Sequence, residues 1–407
     1  MKRKISIDNI MLYLIVFFMI IECNSVYTRI INFNINFQII YVFVILLFMF
    51  ITLIKNTTFS RKGCLLIFTT IILTTLFLIL NVRVAINDFI IKFLLLLPGL
   101  LLYMIKSPEN LLNVKKVLVN ETFIIAIISL VLYTIALFLG FGNHTVLIKW
   151  GGIHEINQLF MLQFNPQNSY LFNTEFLRNT GLFLESPMYA FVLSISLALS
   201  LEETKKIKRN VIFLALITTL STSGIICACL LIFINKFIIT DKKIDIKKLF
   251  MPIFAIILIF VGVSLLENKM QNESWSYNLR MEDYVVTFKA WQDHKIIGNG
   301  YQDTSKAIYY MNNERKLNED KLGLSNGFGR IISEGGIVLF LFYIIPIVKS
   351  IILSFKNKDK WVFELSVVFV FLLITTNVPY QFLTLLVWSI LTTYAFVYKK
   401  LKVNIDG

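Results

Sequence analysis

The sequence predicts an all-α polytopic membrane protein of about twelve transmembrane helices with two large extracytoplasmic loops, and three observations lead there. Of 407 residues, 57% are hydrophobic and only 16% charged, and the mean hydropathy is +0.74. The apolar residues come in blocks of roughly 15–25, the length at which a helix crosses a hydrocarbon core. The basic residues gather between alternate blocks, which sets an orientation. A β-barrel is excluded, because barrel strands alternate apolar and polar residues.

The blocks predict spans over 9–26, 38–54, 64–81, 89–105, 117–140, 187–201, 210–222, 225–240, 249–266, 337–354, 361–377 and 381–398. The chain thus divides into helices 1–5 (residues 1–140), a first large loop (141–186) and helices 6–9 (187–266). A second large loop (267–336) and helices 10–12 with a cytoplasmic C-terminus (337–407) follow. The first block follows Lys2, Arg3 and Lys4 as a signal peptide would, but Ile20-Ile21-Glu22-Cys23 lacks a small-residue cleavage site, so a retained helix is expected. Ser221-Thr222-Ser223-Gly224 interrupts a long apolar stretch and predicts a turn between two helices.

With the N-terminus in the cytoplasm, each inside segment is basic: Lys55, Arg61 and Lys62, for example, or Lys205, Lys206, Lys208 and Arg209. The four short outside loops hold only Arg29 and Arg83. The positive-inside rule therefore places both termini on the cytoplasmic side of the membrane. It also absorbs most of the net charge of +14, so nucleic acid is not an expected partner; membrane lipid is. The cysteines 23, 64, 227 and 229 lie in or beside apolar runs, without metal or disulfide spacing, and read as small core residues.

Function is expected in the two long outside loops. The first is rich in Asn, Gln and aromatics (Trp150, Phe160, Phe164, Tyr170, Phe172), a composition that suits sugar rings. In the second, Tyr284, Phe288 and Trp291 share one helical face with Met281 and Val285 alongside, an amphipathic helix for the membrane surface or for capping the bundle.

The stretch that carries most chemistry is Leu177-Arg178-Asn179-Thr180-Gly181-Leu182-Phe183-Leu184-Glu185-Ser186-Pro187, which runs straight into an apolar helix. Arg178 offers a guanidinium fork suited to phosphate, and Glu185 a carboxylate able to take a proton. Gly181 permits close backbone approach, and Pro187 fits a first helical turn. In the second long loop, Arg280 and Arg330 stand beside candidate helices. Such arginines hold a pyrophosphate where they converge, and snorkel to headgroups where they do not. His144, His154 and His294 are the only histidines. None has zinc spacing, no Asp-x-Asp pair occupies the outside loops, and no phosphate-binding Gly-Lys-Ser/Thr loop occurs. Neither metal nor cofactor is expected.

Taken in order, Arg178-x-x-Gly181-x-Phe183-x-Glu185-x-Pro187, Leu220-Ser221-Thr222-Ser223-Gly224, Arg280 with Ala290-Trp291, Gly298-Asn299-Gly300, Ser325-Asn326 and Glu334-Gly335-Gly336 resemble the signature of the Wzy-type polysaccharide polymerases and related O-antigen ligases. The resemblance covers about residues 175–345. It implies a GT-C-like, metal-independent glycosyltransferase at the outer face of the bacterial cytoplasmic membrane, building capsule, exopolysaccharide or O-antigen. Donor and acceptor are glycans on undecaprenyl pyrophosphate, with a flippase and a chain-length regulator as further partners. It implies Arg178 and Arg280 as the arginines that hold the donor pyrophosphate; Arg330 is a third candidate from its place beside a span, and Glu185, then His294, are the candidate bases. Gly181, Asn299, Ser325, Asn326 and Glu334 are implied substrate-binding residues.

Two departures bear on chemistry. Related families often carry Ser-Arg where this chain has Ser223-Gly224, and His-Asn where it has Ser325-Asn326. The missing histidine leaves Glu185 as first candidate base. An O-antigen-type ligase is the rival within the enzyme class. A lipid-linked oligosaccharide flippase or other transporter is the rival outside it, disfavoured by the absence of an obvious repeat and by the scarcity of mid-span charge, Lys92 lying near a helix end. A non-catalytic scaffold is the blandest reading.

Overall fold

A computed structural model describes residues 7–31, 37–54, 60–150, 152–171, 174–202, 206–238, 274–317 and 322–398. The predicted span 249–266, the start of the second long loop and the basic residues Lys2–Lys4, Lys205 and Lys242–Lys248 lie outside them. The described chain is mostly helical: α1 Ile7–Ile21, α2 Phe37–Ile54, α3 Arg61–Asn81, α4 Ile86–Met104 and α5 Pro108–Leu139 precede the first long loop. Helices α6 Ser186–Ser200, α7 Lys206–Thr218 and α8 Thr222–Lys236 follow it. Then come α9 Ser274–Asp293, the short α10 Ser305–Tyr310 and α11 Asn313–Lys316, α12 Gly327–Asn357, α13 Lys360–Thr375 and α14 Phe382–Tyr398. Helices α3, α4, α5 and α12 are each long and apolar enough to cross a membrane, and α1, α2, α6, α8 and α14 are or contain shorter apolar helices. The protein is a multi-pass helical membrane protein.

Local sequence sets the helix limits. Ser107 caps α5 by accepting from the Asn110 N–H at 3.2 Å, and Pro108 occupies the first turn, so α5 begins nine residues before the predicted span. The predicted turn at 221–224 falls slightly earlier, where Leu220 adopts φ 49° between α7 and α8. Gly224 lies within α8, where a Cβ would meet Ala190 and Leu216 at 2.9 Å, so three helices close up on it. Helix α6, directly after the Arg178–Pro187 stretch, is buried on nearly every face and packs on α5, α7, α8 and α13. A helix apolar all round belongs at the centre of a bundle.

The first long loop is not irregular. It folds as an antiparallel sheet of β1 Thr145–Trp150, β2 Gly152–Leu159 and β3 Gln163–Asn165, followed by the hairpin β4 Asn168–Leu171 and β5 Thr174–Leu177. Period-two alternation puts Ile148, Ile156 and Phe164 into a small core with Val26 and Leu184. Phe164 is therefore a packing residue rather than a platform for a sugar ring; Phe160 is exposed, and the side chains of Tyr170 and Phe172 lie outside the described residues.

Helix α1 ends at Ile21, short of the predicted residue 26. The chain turns at Asn24 (φ 55°) and pairs with the functional stretch: the Val26 N–H donates to Leu182 O at 2.8 Å, and the Leu184 N–H to Asn24 O at 3.1 Å. On the other side, the Phe164 N–H donates to Gly181 O at 3.1 Å. Residues 181–184 thus run between the N-terminal segment and the β-loop.

Candidate functional site

Arg178 and Asn179 close the C-terminal end of α7. The Arg178 Nε donates to Thr219 O at 3.2 Å and Nη2 to Leu220 O at 3.4 Å. The Asn179 N–H donates to Thr218 O at 3.1 Å and its amide to Thr218 Oγ1 at 3.0 Å. A cation on the last carbonyls of a helix also suits its dipole. Buried Asn179, which the sequence reading passed over, organises the turn, because its Oδ1 accepts from Ser129, Gln163 and the Gly181 N–H. Gly181 has φ 54°, and a Cβ there would press on Tyr189 at 3.2 Å, so its role is backbone shape.

Glu185 is the N-cap of α6, half-buried, with Pro187 in the first turn behind it. Burial pushes its carboxyl above the usual carboxylate range, while the Arg280 and Arg178 guanidinium groups pull the other way. Arg280 comes from α9, nearly a hundred residues further along the chain. It is half-buried and makes no hydrogen bond or ion pair among the described residues. The fold therefore brings both Arg178 and Arg280 within electrostatic reach of Glu185. Two forked cations around one carboxyl can bind a polyanion beside a proton acceptor.

Arg330 lies elsewhere in the network. Its Nε donates to Glu334 Oε1 at 2.7 Å and its Nη2 to Glu334 Oε2 at 3.3 Å, while Nη1 reaches Asn377 at 3.1 Å. The guanidinium also stands over the Tyr380 ring. Glu334 is buried and accepts the Gln302 N–H at 3.0 Å as well. These contacts engage the Arg330 fork with a buried carboxylate, the arrangement of a structural ion pair. Glu334→Ala strands the guanidinium and is expected to cost about 3 kcal/mol, measured as a lower melting temperature of the purified protein.

Two glycine motifs that look unrelated in sequence meet in space. The Asn299 and Gly300 N–H groups donate to Ser333 O and Glu334 O at 2.9 and 3.0 Å, and those of Ile337 and Val338 to Lys295 O and Ile296 O at 2.9 and 3.1 Å. Gly298 (φ 76°) abuts the Glu334 backbone, and Gly336 (φ 60°) the Ile296 backbone, each without room for a Cβ. Gly336 also breaks α12, where the predicted span begins. The Asn299 side chain donates to Ala290 O at 2.6 Å and Ser333 O at 2.9 Å, so this clasp fastens the end of α9 to α12.

Ser325 belongs to a second knot, which the sequence reading missed. Its N–H donates to Asp283 Oδ2 at 2.8 Å, as does its hydroxyl, and buried Arg315 donates to Asp283 at 2.7 Å and Glu282 at 3.2 Å. Asn326, the residue before α12, is buried, and neither of its side-chain polar atoms is hydrogen-bonded among the described residues. His294 is exposed just beyond α9. Fourteen residues of helical rise put it roughly 20 Å along the axis from Arg280, so it is not brought to the Arg178–Glu185–Arg280 group. The signal for the knot was an acid, Asp283, one turn from Arg280 on the amphipathic helix. The face of α9 bearing Met281, Tyr284, Val285 and Phe288 is the exposed one, with Asp283, Val286, Thr287 and Ala290 packed inward. A membrane-surface helix fits this better than a cap buried in the bundle.

Residues 211–344, from within α7 to within α12, match the family model described as O-Antigen ligase. The match supports the O-antigen ligase/polymerase superfamily. It includes Arg280, the glycine clasp and Glu334, while Arg178 and Glu185 precede it. No curated protein matches the chain. A superfamily of this kind fits a membrane glycosyltransferase-like activity on lipid-linked glycans, and does not separate polymerases from ligases.

Proposed function

We propose that this protein polymerises polysaccharide at the outer face of the cytoplasmic membrane. It transfers a growing glycan from undecaprenyl pyrophosphate onto a lipid-linked repeat unit. In this reading an acceptor hydroxyl attacks the anomeric carbon of the donor glycan and forms the new glycosidic bond. The bond from that carbon to the pyrophosphate oxygen breaks, and the lipid pyrophosphate leaves with the electron pair. Arg178 and Arg280 stabilise the charge that develops on it. Glu185 takes the acceptor proton. What supports the proposal is that the fold carries Arg178, just before α6, and Arg280, on α9, into the electrostatic neighbourhood of Glu185 at the N-cap of α6. A ligase handing the glycan to another acceptor is the second reading, favoured by the family match over 211–344. The twelve-span count, the GT-C-like class and cytoplasmic termini belong to the same proposal.

A base works only when deprotonated, and the Glu185 carboxyl titrates above the usual carboxylate range. Activity is therefore expected to fall as pH drops through that raised value, at higher pH than an exposed carboxylate would dictate. The test is extension of a lipid-linked repeat unit in proteoliposomes across pH. Glu185→Gln should lower kcat/KM by at least about 100-fold and abolish the acid limb. A variant with unchanged rate and limb would remove Glu185 from the chemistry.

A further inference from the structure

At the end of α6 opposite Glu185 lies a cavity of about 270 Å³ between α6, α7 and α8. Its polar lining is Arg209, Asn210, Asn235 and Lys236, and Phe213 and Ile232 are among its apolar walls. Arg209 is half-buried and Lys236 exposed, and neither makes a hydrogen bond or ion pair among the described residues. The Asn235 amide donates to Glu364 Oε1 of α13 at 2.9 Å, which fixes that side of the cavity to α13. A pocket with two cations that no described residue pairs, one helical turn from the apolar Phe213 and Ile232, matches a phosphate joined to an acyl chain.

We propose that this cavity binds an anionic phospholipid, with the phosphodiester on Arg209 and Lys236 and an acyl chain against Phe213 and Ile232. The site is separated from the Arg178–Glu185–Arg280 group by the length of α6, roughly 22 Å at 1.5 Å per residue. It is independent of the glycan chemistry. Cationic pockets between helices on the basic side of a membrane protein are suited to such headgroups, and each Lys or Arg contributes about fivefold in affinity. Bound there, the lipid would tie α7 to α8, the pair whose outer turn carries the Arg178 contacts with Thr219 and Leu220.

The test is binding of fluorescent phosphatidylglycerol to the full chain purified in detergent, with phosphatidylcholine and inorganic phosphate as competitors. The expected result is a loss of about 30-fold in Arg209→Gln/Lys236→Gln, the product of two such contributions, and near-full affinity in Arg209→Lys/Lys236→Arg. Ile232→Trp, which fills the apolar wall and keeps both charges, is expected to weaken phosphatidylglycerol binding without altering the elution profile. Equal competition by phosphatidylcholine, or unchanged binding in both the charge-neutral and the filled variants, would overturn the proposal. Competition by inorganic phosphate as strong as by the lipid, with Ile232→Trp unaffected, would overturn it in favour of a soluble phosphate compound.

Discussion

Arg280→Ala is expected to slow glycan transfer by roughly 100-fold or more, the cost of removing one preorganised donor from a developing anion, while leaving the protein folded. Arg280 is half-buried and has no hydrogen bond or ion pair among the described residues, so its removal breaks no described hydrogen bond or ion pair. Arg178→Ala should lose a comparable rate by a different balance of causes. Its guanidinium also caps α7 through Thr219 and Leu220, and charged hydrogen bonds of this kind contribute about 1.5 kcal/mol each at the low end. The two variants are therefore expected to match in rate and differ in melting temperature, with only Arg178→Ala shifted down. Arg280→Lys keeps charge without the planar fork, and should recover part of the rate. An Arg280→Ala enzyme transferring at the wild-type rate would remove Arg280 from the site.

The second large effect is on folding. Gly298→Ala is expected to destabilise by about 3 kcal/mol or more, combining a strained positive φ with a Cβ driven into backbone. Gly298 has φ 76° and faces the Glu334 backbone, which cannot move without opening the hydrogen bonds from Asn299 and Gly300. Gly336→Ala should behave alike, since its Cβ would enter the Ile296 backbone at φ 60°. Gly323 is the control: a Cβ there meets nothing within 4 Å, and Gly323→Ala is expected to stay within about 0.5 kcal/mol of wild type. Thermal unfolding of the purified variants, read beside their abundance in membranes, checks all three.

These two cases show what could be read in advance. Apolar blocks reported helices well, because in lipid every backbone polar group must be satisfied within the segment. The continuous apolar run after Pro187 even marked the central helix α6. The β-loop was missed because its strands are short and their alternation, as in Val146, Ile148, His154 and Ile156, covers only a few residues. Gly298-Asn299-Gly300 and Glu334-Gly335-Gly336 were each visible, yet only as separate motifs. Their meaning is the close approach of one backbone to the other, a tertiary fact that neither motif contains. Likewise, Arg178 and Glu185 are neighbours in sequence, but the arrival of Arg280 depends on how α9 packs on α12. Arg330 looked equivalent to Arg280 until its i, i+4 pairing with buried Glu334 was on view, and Ser325 until Asp283 was seen to hold it.

The account's central claim is extension of a lipid-linked glycan, and it is tested most directly by separating surface and lipid-linked glycans from a strain lacking this gene. The strain must contain no second polymerase and be complemented with the wild-type chain or with Arg280→Ala. The account predicts single repeat units on carrier lipid and no ladder in the deletion and in Arg280→Ala, with the ladder restored by wild type. An unchanged ladder in the deletion would contradict it. A full-length ladder stranded on carrier lipid would assign the chain to the ligase reaction instead.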